Sequence, residues 1–501
     1  MNRMTGRTPL RTQQDKVALL WLRQDLRLAD NRALAAALAQ ADRVLPVFVL
    51  DREAGGAWAP GAASLWWLHH SLDALGRALA ARGTTLILRA GDAATIIPAL
   101  AREVGAATVQ CGLPHEPWLR RLDARVASAL QADGRRLVAH RVATLFDLDS
   151  IRSQTGTRYG IYTPFARACR ALPDPEPPLP APARVPGPDT LPASDRLADW
   201  RLLPTSPDWA GGMRDTWTVG EDAAQARLHD FLADRLDRYG TSRNIPGDPR
   251  GTSMLSQHLH WGEISPVQVW HAAREAAARL KEAGAGGFET FQNEVLWHEF
   301  AAYLLRHTET IPDVPMRPAF ASLPWREDPA GLRAWQQGRT GIPIVDAGMR
   351  QLWRIGWMHN RVRMIAASYL VKHMLVSWRE GEAWFWDTLV DADLATNAVS
   401  WQWIAGTGTD SAPFFRIFNP VTQGMKFDPE GEYVRQYVPE LARLPDRWLH
   451  RPWEAPAAVL KQAGVTLGVD YPTPLVKLDT GRDRALHAFR THVRGRAEAA
   501  Q

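Results

Sequence analysis

Between residues 16 and 146, short β-branched runs alternate with Ala/Leu-rich stretches of helical period. VALLWLR, RVLPVFVLD, TTLILRA, ATVQCG and RRLVAHRV mark the apolar runs. This alternation predicts βαβ units, hence an α/β N-terminal domain with a doubly wound parallel sheet. The fingerprint G-x-G-x-x-G is absent, so the usual dinucleotide-binding argument finds no support. Around Ala171 to Pro192 the stretch LPDPEPPLPAPARVPGPDTLP is too proline-dense for helix or central strand. It predicts a linker draped over the surface, within an interdomain segment spanning 147–222. From residue 223 the period changes. Long amphipathic segments such as PVQVWHAAREAAARLKEA, ETFQNEVLWHEFAAYLLRH and MIAASYLVKHMLV carry almost no strand signal, and predict an all-α domain over 223–495. The tail from Asp479, DTGRDRALHAFRTHVRGR, reads as a final basic helix with a solvated face.

Composition changes this picture little. With 501 residues, 46% hydrophobic and 23% charged, the chain reads as an ordinary globular protein of two or three domains. No run approaches the roughly 18 consecutive apolar residues of a membrane helix, and the opening MNRMTGRTPLRTQQDK holds no apolar segment for secretion. The expected location is the cytoplasm, without membrane contact. Two cysteines, Cys111 and Cys169, exclude a disulfide framework and a four-thiolate cluster, and both read as buried thiols; no metal site is expected. A net charge of +5, from 59 basic and 54 acidic residues, suits a polyanionic partner without establishing one. The 22 tryptophans are the anomaly; most read as core and groove packing.

Three long motifs go further. WLRQDLRLADN (21–31), GWMHNRVRMIAASYL (356–370) and DADLATNAVSWQWIAGTGTDSAPFFRIFNPVTQG (391–424) closely resemble the signature of the photolyase/cryptochrome family, and the resemblance runs from about Val17 to Arg490. It implies an α/β antenna domain joined to a helical domain that binds FAD in a U-shape. It also implies reduced FAD (FADH⁻) as the working form, in a monomer acting on ultraviolet-damaged DNA, double- or single-stranded.

Carried over residue by residue, the resemblance marks the flavin site. Thr252, Ser253, Met254, Leu255 and Ser256 precede the helix-like QHLHWGE; alone they read as a helix cap, and hydroxyls with free N–H groups at a helix start make an anion site suited to a pyrophosphate. Family members bind FAD through that loop, with Tyr239 upstream; many carry Arg or an aromatic where Met254 stands. Phe291 belongs to the same set. Asp391, Ala392 and Asp393 match the acidic flavin segment, and Asp391 is expected to pair with Arg363 beside the ring. Asn397 falls where the family contacts flavin N5; plant cryptochromes have Asp there, so Asn favours repair over signalling.

Glu294 and Trp297 lie three apart on a predicted helix, facing one way. Their spacing matches E-x-x-W of enzymes that split cyclobutane pyrimidine dimers, where Trp stacks on the flipped bases and Glu hydrogen-bonds a carbonyl. A bare carboxylate would repel a base radical anion, so a buried, protonation-prone Glu294 is expected. Asn360 and Met364, four apart, are implied to line the dimer from below; enzymes for (6-4) photoproducts have His where Asn360 sits. Trp403 completes the wall. DNA contacts are expected from Arg243, from Glu294 to Ala301 including Trp297 and His298, from Asn360 with Arg361, and from Gln423. At His298 most relatives have Arg.

Trp401, Trp378 and Trp325 match the family's chain of three tryptophans, which carries electrons inward from the surface. Glu116, in HEPWLRR, matches a folate-contacting residue of the antenna; a methenyltetrahydrofolate, a deazaflavin or no second chromophore all stay open. The resemblance as a whole implies light-driven dimer repair. The rivals are a cryptochrome photoreceptor, which would need a long extension after the core, a (6-4) enzyme, opposed by Asn360, and a conventional flavin oxidoreductase, which leaves the lesion-facing set unexplained.

Overall fold

The apolar runs of the first 146 residues pair as their alternation predicts in the computed structural model, which describes residues 15–280, 285–411 and 413–494. The first fourteen residues of the opening segment, the KEA that ends PVQVWHAAREAAARLKEA, and the tail from residue 495 lie outside the described residues. Strands β1 (Val17–Leu22), β2 (Arg43–Leu50), β3 (Ile87–Ala90), β4 (Thr108–Gly112) and β5 (Arg136–His140) form one sheet of order β3-β2-β1-β4-β5. Every neighbouring pair is parallel, with Leu20 beside Pro46 and Trp21 beside Cys111.

Helices α1 (Arg32–Gln40), α2 (Ala62–Ala80), α3 (Ala93–Glu103) and α4 (Pro117–Ala132) cover both faces. Successive side chains of β1 show why its run is continuously apolar. Ala18, Leu20 and Leu22 pack with Leu34 and Ala37 of α1 and Trp66 and Trp67 of α2, whereas Leu19 and Trp21 pack with Ile97 of α3 and Leu122 and Val126 of α4. Asn31 caps α1 and Asp92 caps α3 through their side chains.

WLRQDLRLADN joins the two halves of the molecule. The buried Arg27 guanidinium donates to the carbonyls of Gly262 (2.9 Å), Asp30 (2.9 Å) and Val142 (2.7 Å). Asp30 accepts from Ser265 Oγ at 2.5 Å, and Glu221 accepts from the N–H groups of Leu28 and Ala29, both at 2.7 Å. Gly262 has φ +68°, and a Cβ there would lie 2.1 Å from the Gln24 carbonyl oxygen, so only glycine fits.

The proline-rich stretch is extended, as expected, and is stitched to the sheet half by bonds such as Val44 N–H to Pro186 O, 2.8 Å. The interdomain segment also holds a helix, α5 (Tyr162–Ala171), which packs on the second half through Phe165. That half is helical, and the only strand-like feature among its described residues is an isolated bridge, Leu467 with Tyr471. Its core gathers Phe300, Tyr303, Trp335, Ile365, Tyr369 and Trp401.

Two expectations need correction. MIAASYLVKHMLV does not stay one amphipathic α-helix. The Asn360–Ser368 helix widens to π geometry over Tyr369–Met374 and stops at Leu375, φ +59°. The wide turn carries a buried Lys372, whose Nζ donates to Ala405 O at 3.0 Å and lies 3.5 Å from the centre of the Phe414 ring. The basic tail helix, Leu478–Phe489, is not merely solvated, because Ala485 and Ala488 are buried against Phe320, Leu323 and Phe414.

Candidate functional site

The acidic segment and the Asn360–Ser368 helix meet where the resemblance places a flavin. Asp391, 8% exposed, accepts from Arg363 Nη2 through both oxygens, at 3.1 and 2.8 Å, and from Ser256 Oγ at 2.6 Å. Arg363 is steadied by Met358 O (2.7 Å) and lies over the Trp357 ring, 5.8 Å from its centre. The expected pair is therefore present, and charge-assisted bonds from two elements orient it. The loop Thr252 to Ser256 does not act as a helix cap. Its helix, Ser256–His260, is one short turn with no side-chain cap, Met254 sits at φ +49°, and the Ser256 hydroxyl is turned to Asp391.

Tyr239 is buried edge-on against Phe291, 5.4 Å between ring centres. Asp393 caps the Leu394–Ala405 helix by accepting from Thr396 N–H at 2.7 Å. Burial opposes its ionisation, but His298, the Thr396 amide and His260 outweigh burial and hold its carboxyl below the usual range. Ala392 is buried between the two acids. Asn397, also 8% exposed, donates to the Glu382 backbone carbonyl at 3.1 Å. Glu382 was missed by sequence reasoning; its carboxyl is fully buried with no partner on either oxygen, and burial pushes it well up.

The second cluster lies on the Ala285–His307 helix and the rim. Glu294 is not buried as expected: its side chain is 31% exposed and Oε1 accepts from Arg243 Nη1 at 2.5 Å. The neutralising charge comes from a guanidinium at the end of the Tyr239–Ser242 turn. Trp297 is half-buried, with one face stacked on Tyr162 of α5. Arg361, Met364, Trp403 and Gln423 line one cavity of about 300 Å³, together with Arg416 and Lys426, which the sequence did not single out. Asn360 begins its helix and is exposed. The preceding His359 accepts from Arg361 N–H at 3.1 Å, and burial, with Arg361, Arg363 and Arg243 nearby, lowers it to about 3, so it is neutral. His298 is half-buried on the Ala285–His307 helix and lies close enough to Asp393, His115 and His260 to act on each by charge.

Trp401 and Trp378 are buried in one core and Trp325 is half-buried beside Leu375 and Phe414. A Cβ on Gly381 would lie 2.1 Å from the Trp401 ring, so glycine allows the helix to approach. Glu116 is buried, accepts from Gln24 Nε2 at 2.7 Å, and is pushed up by burial, with Asp393 adding, to about 7. Next to it in the chain, both ring nitrogens of His115 and Trp118 Nε1 are buried without partners.

Comparison with known proteins shows the family. A family model described as DNA photolyase matches residues 18–183, and one described as FAD binding domain of DNA photolyase matches 291–491. The chain is 45% identical to the Deoxyribodipyrimidine photo-lyase of Agrobacterium fabrum (strain C58 / ATCC 33970), over 94% of this chain and 97% of that one. It is 36% identical to Cryptochrome-1 of Arabidopsis thaliana, over 94% of this chain and 70% of that one. A bacterial class III photolyase from Agrobacterium tumefaciens superposes with a TM-score of 0.92 at 43% identity, covering 97% of this chain and 99% of that one. Among the described residues no helix is long and apolar enough to cross a membrane.

Proposed function

The chain belongs to the DNA photolyase and cryptochrome family and carries its FAD-binding domain, and from that premise we propose that it splits cyclobutane pyrimidine dimers in DNA under light. Reduced FAD, when bound, supplies the photo-excited electron and takes it back. Arg363, Asp391 and Ser256 hold it beside a fixed charge pair, with Tyr239, Phe291, the loop 252–255, Ala392, Asp393 and Asn397 completing its walls. The amide of Asn397 is neutral, which suits an anionic cofactor better than a carboxylate would.

The observation that carries the dimer reading is an amide, Asn360, at the start of the helix whose Arg361 and Met364 line the cavity with Trp403 and Gln423. An amide gives hydrogen bonds to a pyrimidine carbonyl and cannot move a proton at neutral pH, which suits ring opening by electron transfer alone. Glu294, paired with Arg243, lets its guanidinium face developing negative charge. Trp297 and Trp403 offer indole faces to unstacked bases. Arg361, Arg416 and Lys426 supply phosphate contacts that carry no sequence information. Trp401, Trp378 and Trp325 conduct electrons inward from solvent. The protein acts as a monomer in the cytoplasm on ultraviolet-damaged DNA, duplex or single-stranded, and Glu116 with His115 and Trp118 receives an antenna chromophore.

The test is restoration of oligonucleotides carrying one cyclobutane dimer or one (6-4) photoproduct by the reduced protein, in blue light and in darkness. Only the dimer substrate is restored, and only under illumination. Restoration of the (6-4) substrate would reverse the reading of Asn360, and failure with both would favour the photoreceptor role to which the cryptochrome likeness points.

A further inference from the structure

We propose that Tyr162, from the interdomain segment, is a positioning residue for the lesion: it holds the Trp297 indole flat, so that its opposite face is a platform of fixed orientation for the extruded dimer. This rests on the dimer-repair reading above. The two rings lie 3.8 Å apart, centre to centre, with planes 6° from parallel. Free aromatic pairs prefer offset or edge-on arrangements with centres about 4.5–7 Å apart. So close an overlay is imposed by anchors, and the anchors are present.

The Tyr162 hydroxyl lies 2.9 Å from both the backbone carbonyl and the side-chain oxygen of Asn293, and Arg170, at the far end of α5, donates to the same side-chain oxygen at 2.7 Å. Asn293 is one turn before Trp297 on the same helix, so the tyrosine is fastened to the element that carries the indole. The Tyr162 N–H donates to Asp410 Oδ2 at 2.7 Å, which ties the start of α5 to the loop after the Leu394–Ala405 helix. Phe300 meets both rings edge-on, at 5.9 and 5.8 Å. A half-exposed tryptophan on a helix surface has several rotamers open to it. Here one face is covered by Tyr162 and the side chain is half-buried. Fixing the indole before binding removes part of the ordering that stacking otherwise requires, and this favours the flipped dimer over undamaged DNA, which never reaches the indole.

The FAD-loaded full chain is titrated in the dark with a duplex bearing one cyclobutane thymine dimer and with its undamaged twin. Tyr162→Ala weakens dimer binding roughly 3- to 10-fold, the range of one aromatic pair. Tyr162→Phe, which keeps the stack, stays within about twofold of the unaltered protein, and undamaged DNA binds all three alike. Equal losses on both duplexes, no loss in Tyr162→Ala, or tighter dimer binding, as for a lid that must swing away, would overturn the proposal. If the unaltered protein shows no preference for the dimer, the parent reading fails, and positioning is read from fluorine NMR of fluorotryptophan-labelled protein. The Trp297 resonance, assigned with Trp297→Phe, then broadens or splits in Tyr162→Ala and stays sharp in Tyr162→Phe. A single sharp, unshifted line in Tyr162→Ala sinks it.

Discussion

Glu299 sits five residues after Glu294 and two after Trp297 on the Ala285–His307 helix, and its titration is open to direct test. The carboxyl is fully buried and accepts from the N–H groups of Leu145 and Phe146, each at 3.0 Å, fastening the exit of the α/β half to the helix that bears Glu294 and Trp297. Burial raises it from 4.5 to about 7, and the two amide bonds pull the other way without prevailing. An acid whose folded value is raised keeps its proton where the unfolded chain has lost it. Its contribution is fully present below the unfolded value and is lost as pH rises through the folded one. Integrating between those values gives a loss of about 2.5 kcal/mol from about pH 5 to about pH 8, an order-of-magnitude figure. Glu299→Gln keeps the shape, cannot ionise, and sacrifices one acceptor for about 1 kcal/mol. Urea unfolding midpoints of the two proteins, compared at both pH values, isolate the carboxyl from other titrations. The gap in stability between the unaltered protein and Glu299→Gln shrinks or reverses as pH rises. Parallel pH profiles would refute the assignment of a titrating acid at this position.

Three further outcomes follow from the site and the seam. Trp297→Ala lowers affinity for dimer-containing DNA by about 1–3 kcal/mol in a fluorescence titration, and unchanged affinity removes stacking from the account. Trp401→Phe abolishes light-driven reduction of oxidised FAD, followed by absorbance, while repair by chemically pre-reduced protein persists; retained photoreduction would show that the chain is bypassed. Gly262→Ala drives a methyl into the Gln24 carbonyl at a positive φ and destabilises the joint between the halves by about 2 kcal/mol or more, read as a fall in thermal midpoint.

Periodicity made the sheet and the helical half legible, because apolar residues at spacing two or 3.6 are what those elements bury. What it could not show were contacts between distant segments. Arg363 with Asp391 was legible only through the resemblance. Tyr162 stayed hidden because its neighbours downstream are proline-rich and read as linker, while its stacking partner lies on another element. Glu294 was expected to be buried because electron transfer needs its charge muted, and a guanidinium, Arg243, mutes it instead. The buried side of the tail helix is made of Ala485 and Ala488, residues too small to signal a hydrophobic face. The π turn escaped notice because Tyr369, Leu370 and Val371 suit either helix type.

WLRQDLRLADN, one of the motifs that carried the resemblance, holds the joint between the two halves. Glu116 comes from the turn between β4 and α4, and Asp393 from the helical half, and they are close enough that Asp393 raises Glu116. Two acids facing each other across a seam repel when both are charged, so the seam must be held by something else. Arg27 does this with three carbonyls drawn from both halves, and Asp30 with Ser265 and Glu221 with two amides add further bonds across the joint. An apolar joint could slide, but a buried guanidinium aimed at three fixed oxygens has one register. That register sets how His115, Glu116 and Trp118 of one half stand to His298 and Asp393 of the other, whose charges act on His115 and Glu116 across the seam.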